Sequence, residues 1–247
     1  MKKTTLKFDE LNVLDSKSKT LKDSKKGAKP KPIPYREYFG GMYITPEEMY
    51  DRIELAEEIE DVMIYILAYW SIASDADLPI EEVKESGIER LTSVIAKHST
   101  IDPYLEKHIN DVVNEVVDVT ERHKAKQDEY DEESDVLGEM LDDSGEETKS
   151  DYWTSKERAE MISENEANGF YEYFKYTEAK KSGVTQKTWI TEKDEKVRLT
   201  HLLVEEKTIG IDGLFLVGDS KMRFPMDWLY DPDPREVINC RCTCEYK

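Results

Sequence analysis

The chain has 247 residues, of which 38% are hydrophobic and 36% are charged, and its formal net charge at pH 7 is −20. Its length is enough to bury a core and to hold one or two domains. So much negative charge repels a phosphate backbone, which disfavours nonspecific binding of nucleic acid by the whole protein. The longest near-continuous apolar run, residues 62–70, is much shorter than the ~20 residues of a membrane span, so no membrane contact is predicted.

The first segment, residues 1–40, is predicted to be a basic extended arm. Residues 1–36 hold eleven lysines and arginines against four acids, and prolines and glycines interrupt the arm near its end. A solubilising or docking tail is the simplest use of such an arm. The alternative is contact with DNA, for which the candidates are Lys17, Lys19, Lys22, Lys25, Lys26, Lys29 and Lys31. No secretory signal is recognised, so the protein is expected in a reducing cytoplasm.

Residues 41–127 are predicted to form a helical docking unit. Thr45 is a suitable N-cap and Pro46 suits the first helical position, and this helix should run to about Ala73. A second helix is predicted over 80–98, and a third begins after Asp102. In the third, apolar residues recur every three or four positions, which indicates a seam that packs against another helix; they are Leu105, Ile109, Val112, Val116 and Val119.

An acidic linker is predicted next, at residues 128–151, where twelve acids accompany one lysine. Residues 152–247 follow as a second unit. A helix capped by Thr154 or Ser155 should end at Gly183. Beyond it come the strand-like "KTWIT", a predicted helix "EKDEKVRLTHLL" and further short strand-like segments. The predicted fold class is therefore α+β, with an N-terminal helical unit followed by a small α+β domain that has a short sheet.

The three cysteines of the chain lie together near its end, at Cys240, Cys242 and Cys244. In an extended strand they would point to one face. On the predicted helix, Asp194, Arg198 and His201 would share a face at i, i+4 and i+7. His201 and the three thiols would then make a Cys₃His set suited to zinc, although one-residue spacing is tight for three ligands. Buried core thiols are the favoured alternative, and a nucleophilic cysteine with His201 as its base is a third.

Read in order, these residues resemble the C-terminal domain of the phage Mu F-like minor head proteins, over about residues 155–247. That family shows a Trp, then Asp-x-x-x-Arg-x-x-His, an Asp and a Phe, a Pro-Gly-Asp-like turn, and a closing Asn-Cys-Arg-Cys. The matching residues are Trp189, Asp194, Arg198, His201, Asp212, Phe215, Pro225, Asp227, Asn239, Cys240, Arg241 and Cys242.

The chain departs from the family pattern at three positions. Glu206 stands where the family usually has glycine, so the turn after the histidine is expected to be reshaped. Met226 replaces the glycine of the Pro-Gly-Asp turn. Cys244 lies outside the pattern, so a site that used three cysteines would be particular to this chain.

The resemblance implies a minor capsid protein of a tailed bacteriophage, made in the host cytoplasm and located in the virion at the head and portal region. It would bind the portal protein and other head proteins, and assist head morphogenesis, genome packaging or genome ejection. The family residues would then form a structural nucleus rather than an active site, and no cofactor is assigned beyond the possible zinc.

Two further functions are left open by the sequence. One is a metal- or cysteine-dependent enzyme, a hydrolase, nuclease or toxin-like module injected with the genome; Glu192, Asp194 and Lys196 beside a strand suit a nuclease centre. The other is a DNA-binding accessory protein that acts through its lysine-rich arm.

Overall fold

The computed structural model describes residues 36–137 and 149–247. All seven candidate DNA-contacting lysines and nearly all of the predicted basic arm lie outside the described residues, as does the middle of the predicted acidic linker. Within the described ranges no helix is long and apolar enough to cross a membrane. The predicted fold class is confirmed, because seven helices accompany one three-stranded and one two-stranded antiparallel sheet.

The N-terminal part consists of helices whose starts follow the local capping signals. A short helix α1 (Glu37–Gly40) precedes α2 (Pro46–Asp75). The hydroxyl of Thr45 accepts a hydrogen bond from the backbone N–H of Glu48 at 3.2 Å, which satisfies one of the free N–H groups at a helix start. The predicted cap is therefore confirmed, and the helix ends two residues beyond the predicted Ala73.

Helices α3 (Ile80–His98) and α4 (Pro103–Leu137) complete the helical part. The bounds of α3 agree with the prediction. Four of the five seam residues of α4 are buried, and the fifth, Val119, is half-buried. The helix α4 runs on into the predicted acidic linker as far as Leu137, where Glu129, Glu132 and Glu133 are good helix formers.

The longest C-terminal helix, α5 (Lys156–Lys181), lies against α2. The side chain of Ser155 caps it by accepting from the N–H of Arg158 at 3.2 Å. After its end the chain turns at Gly183, whose φ of +77° lies in the left-handed region. Both ends were predicted, because a serine cap and a left-handed glycine are local signals.

The larger sheet has the order β2-β1-β5 and is antiparallel. Its strands are β1 (Gln186–Ile190), β2 (Thr208–Gly210) and β5 (Thr243–Tyr246), and Trp189 of β1 stands opposite Cys244 of β5. Between β2 and β5, strands β3 (Phe215–Val217) and β4 (Ser220–Met222) form a hairpin. A short helix α7 (Pro234–Val237) precedes the cysteine segment.

The predicted helix over residues 192–203 is wrong for most of its length. Only α6 (Leu199–Leu202) is helical. Lys193 has a φ of +62°, and the carboxylate of Asp194 accepts from the backbone N–H of Lys196 at 3.0 Å. A side chain that bonds to its own backbone two residues on stabilises a turn in place of a helix. Asp194, Arg198 and His201 therefore do not share one helical face.

The helical part and the α+β part share a core. Arg52 of α2 is fully buried, and its guanidinium donates to the Glu172 carboxylate of α5 at 2.5 Å and to the side-chain oxygen of Asn168. It also lies 3.5 Å from the hydroxyl of Thr243 on β5. The described residues of both parts belong to one compact unit. Residues 41–127 and 152–247 thus follow one another in the sequence, but in the structure they pack against each other.

Candidate functional site

His201, Cys240 and Cys242 come together at the end of α6. The Nδ1 atom of His201 lies 3.2 Å from the Sγ of Cys242 and 3.7 Å from the Sγ of Cys240. The three donor atoms all lie within 4.8 Å of one another, and their residues are 1–3% exposed. We call these three residues the His–Cys–Cys cluster.

The cysteine segment bends where the sequence predicted a straight strand. Only two of the three thiols lie beside His201 as a result. Asn239 has a φ of +56°, and β5 begins only at Thr243. Cys240 and Cys242 consequently converge on His201. Cys244, the fourth ligand considered, lies in β5 and is not part of the cluster. Its thiol is buried beside Glu172, and burial followed by that carboxylate raises its pKa.

Glu236 of α7 completes the surroundings of His201 and was missed from the sequence. One of its oxygens lies 3.1 Å from the Nε2 of His201 and accepts from the hydroxyl of Thr200 at 2.7 Å. Asp233 caps α7 by accepting from the N–H of Arg235, which sets the first turn that carries Glu236. An acid four positions before Cys240 was the available signal, but only the fold brings it to the histidine.

The two thiols of the cluster have opposite pKa shifts. A hydrogen bond with Cys242 lowers the pKa of Cys240 despite burial, and His201 lowers it further. The partnership with Cys240 and burial raise the pKa of Cys242. For His201, burial lowers the pKa, but the interactions with Cys240 outweigh burial and the net pKa is raised. The interaction between Cys240 and His201 thus lowers the pKa of the thiol and raises that of the imidazole.

The charged residues of the family pattern act as braces between segments. Asp194 accepts two hydrogen bonds from the guanidinium of Arg241, at 2.7 and 2.9 Å. Arg198 donates to the backbone carbonyl of Ile238 at 2.5 Å. The predicted Asp194–Arg198 pair is thus replaced by two links, each of which holds the turn before α6 to the cysteine segment.

An aromatic wall closes one side of the cluster. The indole of Trp189 meets the imidazole of His201 edge-on, with ring centres 5.7 Å apart, and meets Phe215 at 5.2 Å. Trp189 and Phe215 are fully buried. Among the described residues the indole N–H of Trp189 has no hydrogen-bond acceptor. Trp189 nevertheless lowers the pKa of the Cys242 thiol, against the larger rise that Cys240 and burial cause.

The remaining family residues lie away from the cluster. Asp227 is fully buried, and its carboxylate accepts from the Arg223 side chain at 2.7 and 2.8 Å. Pro225, also buried, precedes the turn at Met226. Asp212 is exposed and pairs with Lys180 at 2.6 Å. The backbone N–H of Asn239 donates to the side-chain oxygen of Asn165 at 2.7 Å. These positions shape turns and ion pairs and do not extend the cluster.

Both non-glycine residues at the family's glycine positions adopt the backbone conformation of glycine. Glu206 has a φ of +57° and Met226 a φ of +65°. Only glycine enters this left-handed region without a steric cost. The glutamate thus occupies a left-handed position, and the expectation of a turn reshaped relative to the family stays a prediction.

The cluster offers two thiols and an imidazole in a buried site. A nucleophilic cysteine must reach a substrate, whereas Cys240 and Cys242 are almost completely buried. Asp194, the central acid of the nuclease alternative, is held by Arg241. The chemistry that this arrangement permits without opening is coordination of a thiophilic metal or simple packing.

Comparison with known proteins found no matching family model, no matching curated protein and no matching solved structure.

Proposed function

We propose that this chain is a minor head protein of a tailed bacteriophage, a virion component of the Mu F-like type that binds the portal protein. It assists head assembly, DNA packaging or genome delivery. The observation that carries the proposal is the left-handed backbone at Glu206 and Met226. The resemblance aligns these two positions with glycines, and both have the conformation that glycine favours.

The roles of the family residues give further support. Asp194, Arg198 and Arg241 tie neighbouring segments together, and Trp189 and Phe215 fill the space behind them. Groups engaged in this way stabilise a domain, which is a role expected of residues in an assembly protein.

The charge of the protein is consistent with contacts to other proteins. With a net charge of −20, the chain is repelled by packaged DNA, while the eleven basic residues in 1–36 are the segment suited to an acidic protein surface or to DNA. The portal is therefore the proposed partner of the body, and the arm is the only segment proposed to touch DNA.

The test is to purify particles released by the strain that encodes this chain and to quantify it by mass spectrometry against the portal and major capsid proteins. We expect it in virions, far below the capsid protein in amount, and co-purifying with the portal from disrupted heads. Its absence from purified heads, or an amount equal to that of the capsid protein, would contradict the proposal.

The enzyme alternative is tested in the same particles with Cys242→Ser. Normal assembly and DNA content together with lost infectivity would favour chemistry in the recipient cell over a structural role. The matched control is Cys244→Ser, which changes a buried thiol outside the His–Cys–Cys cluster.

The DNA-binding alternative is tested by removing residues 2–31. If the arm neutralises phosphates, DNA affinity falls and its dependence on salt concentration becomes shallower. An unchanged salt dependence would exclude the arm as a DNA contact, whatever the result for the portal.

A further inference from the structure

We infer that the His–Cys–Cys cluster is a zinc site, with His201 binding through Nδ1 and with Cys240 and Cys242 binding as thiolates. Two thiolates and an imidazole are a donor set typical of zinc, and three protein ligands leave one corner for a water molecule. The inference rests on the geometry of these three side chains and is independent of the phage function proposed above.

The spacing of the donor atoms is close to that of a tetrahedral zinc site. Usual Zn–S and Zn–N lengths at a tetrahedral angle put a sulfur and a nitrogen about 3.6 Å apart. The two N–S separations here are 3.2 and 3.7 Å. These two separations are therefore close to those around a bound ion, and the two sulfurs lie within 4.8 Å of each other.

The imidazole has the orientation of a metal ligand. Its Nδ1 faces both sulfurs, and its Nε2 faces the carboxylate of Glu236 at 3.1 Å. A histidine that binds a metal commonly donates its other ring N–H to a carboxylate, which fixes the tautomer and strengthens the ligand. Glu236 is thus a positioning residue, and the hydroxyl of Thr200 holds it in turn at 2.7 Å.

The ion would join segments that no strand pairing joins directly. His201 belongs to α6, and the two cysteines lie between α7 and β5. Three protein ligands with an open fourth position are more typical of catalytic zinc, but the burial of all three residues would keep a substrate from reaching the ion here. The same burial argues against a substrate-accessible thiol. We therefore assign the zinc a stapling role.

The experiment uses the full chain, purified under reducing conditions without a chelator. We expect one equivalent of zinc by elemental analysis, and we expect Co²⁺, added to the protein after zinc removal, to give the intense sulfur-to-cobalt absorption of thiolate ligands. Cys242→Ser and His201→Gln should lose both signals. Cys244→Ser is the matched control and should keep both.

Glu236→Gln separates positioning from ligation. It should still bind one equivalent of zinc, but about ten- to a hundredfold more weakly in a competition titration against a chelator. Circular dichroism of each variant verifies that it is folded, and the cobalt spectrum of the unaltered chain tests the site even where a variant does not fold.

Three results would overturn the inference. The first is a folded chain with reduced thiols that holds no zinc and gives no sulfur-to-cobalt band. The second is full zinc content in both Cys242→Ser and His201→Gln. The third is a Cys240–Cys242 disulfide, detected by mass, in protein purified from a reducing cytoplasm.

Discussion

Glu206 shows how much a single residue can contribute through its backbone. It holds a φ of +57° and its exposed carboxylate pairs with Lys193 at 2.9 Å. The left-handed conformation costs about 1–2 kcal/mol for a residue with a Cβ atom, whereas an ion pair on the surface contributes little because solvent screens it. The backbone term is the larger one.

We therefore expect Glu206→Gly to raise the free energy of unfolding by about 0.5–1 kcal/mol, with part of the relieved strain offset by the greater entropy of glycine in the unfolded chain. Glu206→Ala is the control, because it removes the ion pair and keeps the Cβ, so it should be no more stable than the unaltered protein. Urea unfolding measures both. A glycine variant less stable than the alanine variant would contradict the account.

Lys187 is a buried amine whose charge opposes folding. Its Nζ donates to the backbone carbonyl of Ile211 at 2.6 Å and lies 5.1 Å from the ring centre of Tyr176. Burial is the main cause that lowers its pKa to about 8. The folded protein therefore loses this proton at lower pH than the unfolded chain does, where lysine titrates near its ordinary value of about 10.4.

The sign of the effect follows from proton binding. Below about pH 8 the folded state carries the buried charge at full cost, and the cost falls as pH rises toward about 10, since only the unfolded chain still binds the proton. Lys187→Met removes the cost of the buried charge. The stability of the variant relative to the unaltered chain should therefore decline between about pH 8 and about pH 10. Urea unfolding at several pH values measures the difference. Lys221→Met, at an exposed position, is the control and should give no such trend; parallel curves for Lys187→Met would refute the assignment.

At the scale of elements, the close approach of α2, α3 and α4 depends on one glycine. A Cβ at Gly87 of α3 would lie 2.9 Å from side-chain carbons of Ile66 in α2 and of Val113 in α4. The glycine weakens its own helix but lets the three helices approach. Helix propensity accounts only for the first of these effects.

Gly87→Ala therefore sets two terms against each other. Helix propensity gains about 1 kcal/mol, while forcing a methyl group into a packed contact costs about 1–3 kcal/mol. We expect a net loss of stability in thermal or urea unfolding. Ser93→Ala, at an exposed position of the same helix, lacks the clash and should be neutral or slightly stabilising. A Gly87→Ala protein more stable than the Ser93→Ala protein would show that the helices separate at little cost.

Local signals explain which elements could be predicted from the sequence. The starts of α2 and α5 follow from Thr45 and Ser155, because a cap acts over three residues. The region around His201 was mispredicted because periodicity suggested a helix, whereas the Asp194 side chain stabilises a turn. The cysteine segment was mispredicted because Asn239, a residue type enriched in the left-handed region, was taken as part of a strand. Of the site, His201, Cys240 and Cys242 were predicted, and Glu236 was not.

At the scale of the whole molecule, the shared core could not be read from the sequence. Arg52 and Glu172 are 120 residues apart in the chain and form a fully buried ion pair. Breaking such a pair by removing one partner costs about 3–5 kcal/mol. Composition predicted two units with an acidic linker between them. An acidic stretch carries no information about whether the segments on either side of it pack together.

The shared core predicts the behaviour of a divided chain. Residues 1–143 and 144–247, co-expressed as two polypeptides, should purify together in equal amounts, because α2 and α5 bury Arg52 and Glu172 between them. Size-exclusion chromatography measures the association, and Arg52→Ala should weaken it. Two fragments that separate and show cooperative unfolding on their own would establish independent domains.

The hydrogen bond from the Tyr38 hydroxyl to the Cys240 carbonyl, 2.7 Å long, joins positions 202 residues apart. Closing such a loop costs entropy before any contact compensates for it, so it forms late in folding. The helices, whose contacts are local, form early. We therefore expect the cysteine segment to dock after the helices form, and until then its thiols would be open to oxidation or to capture of a metal ion.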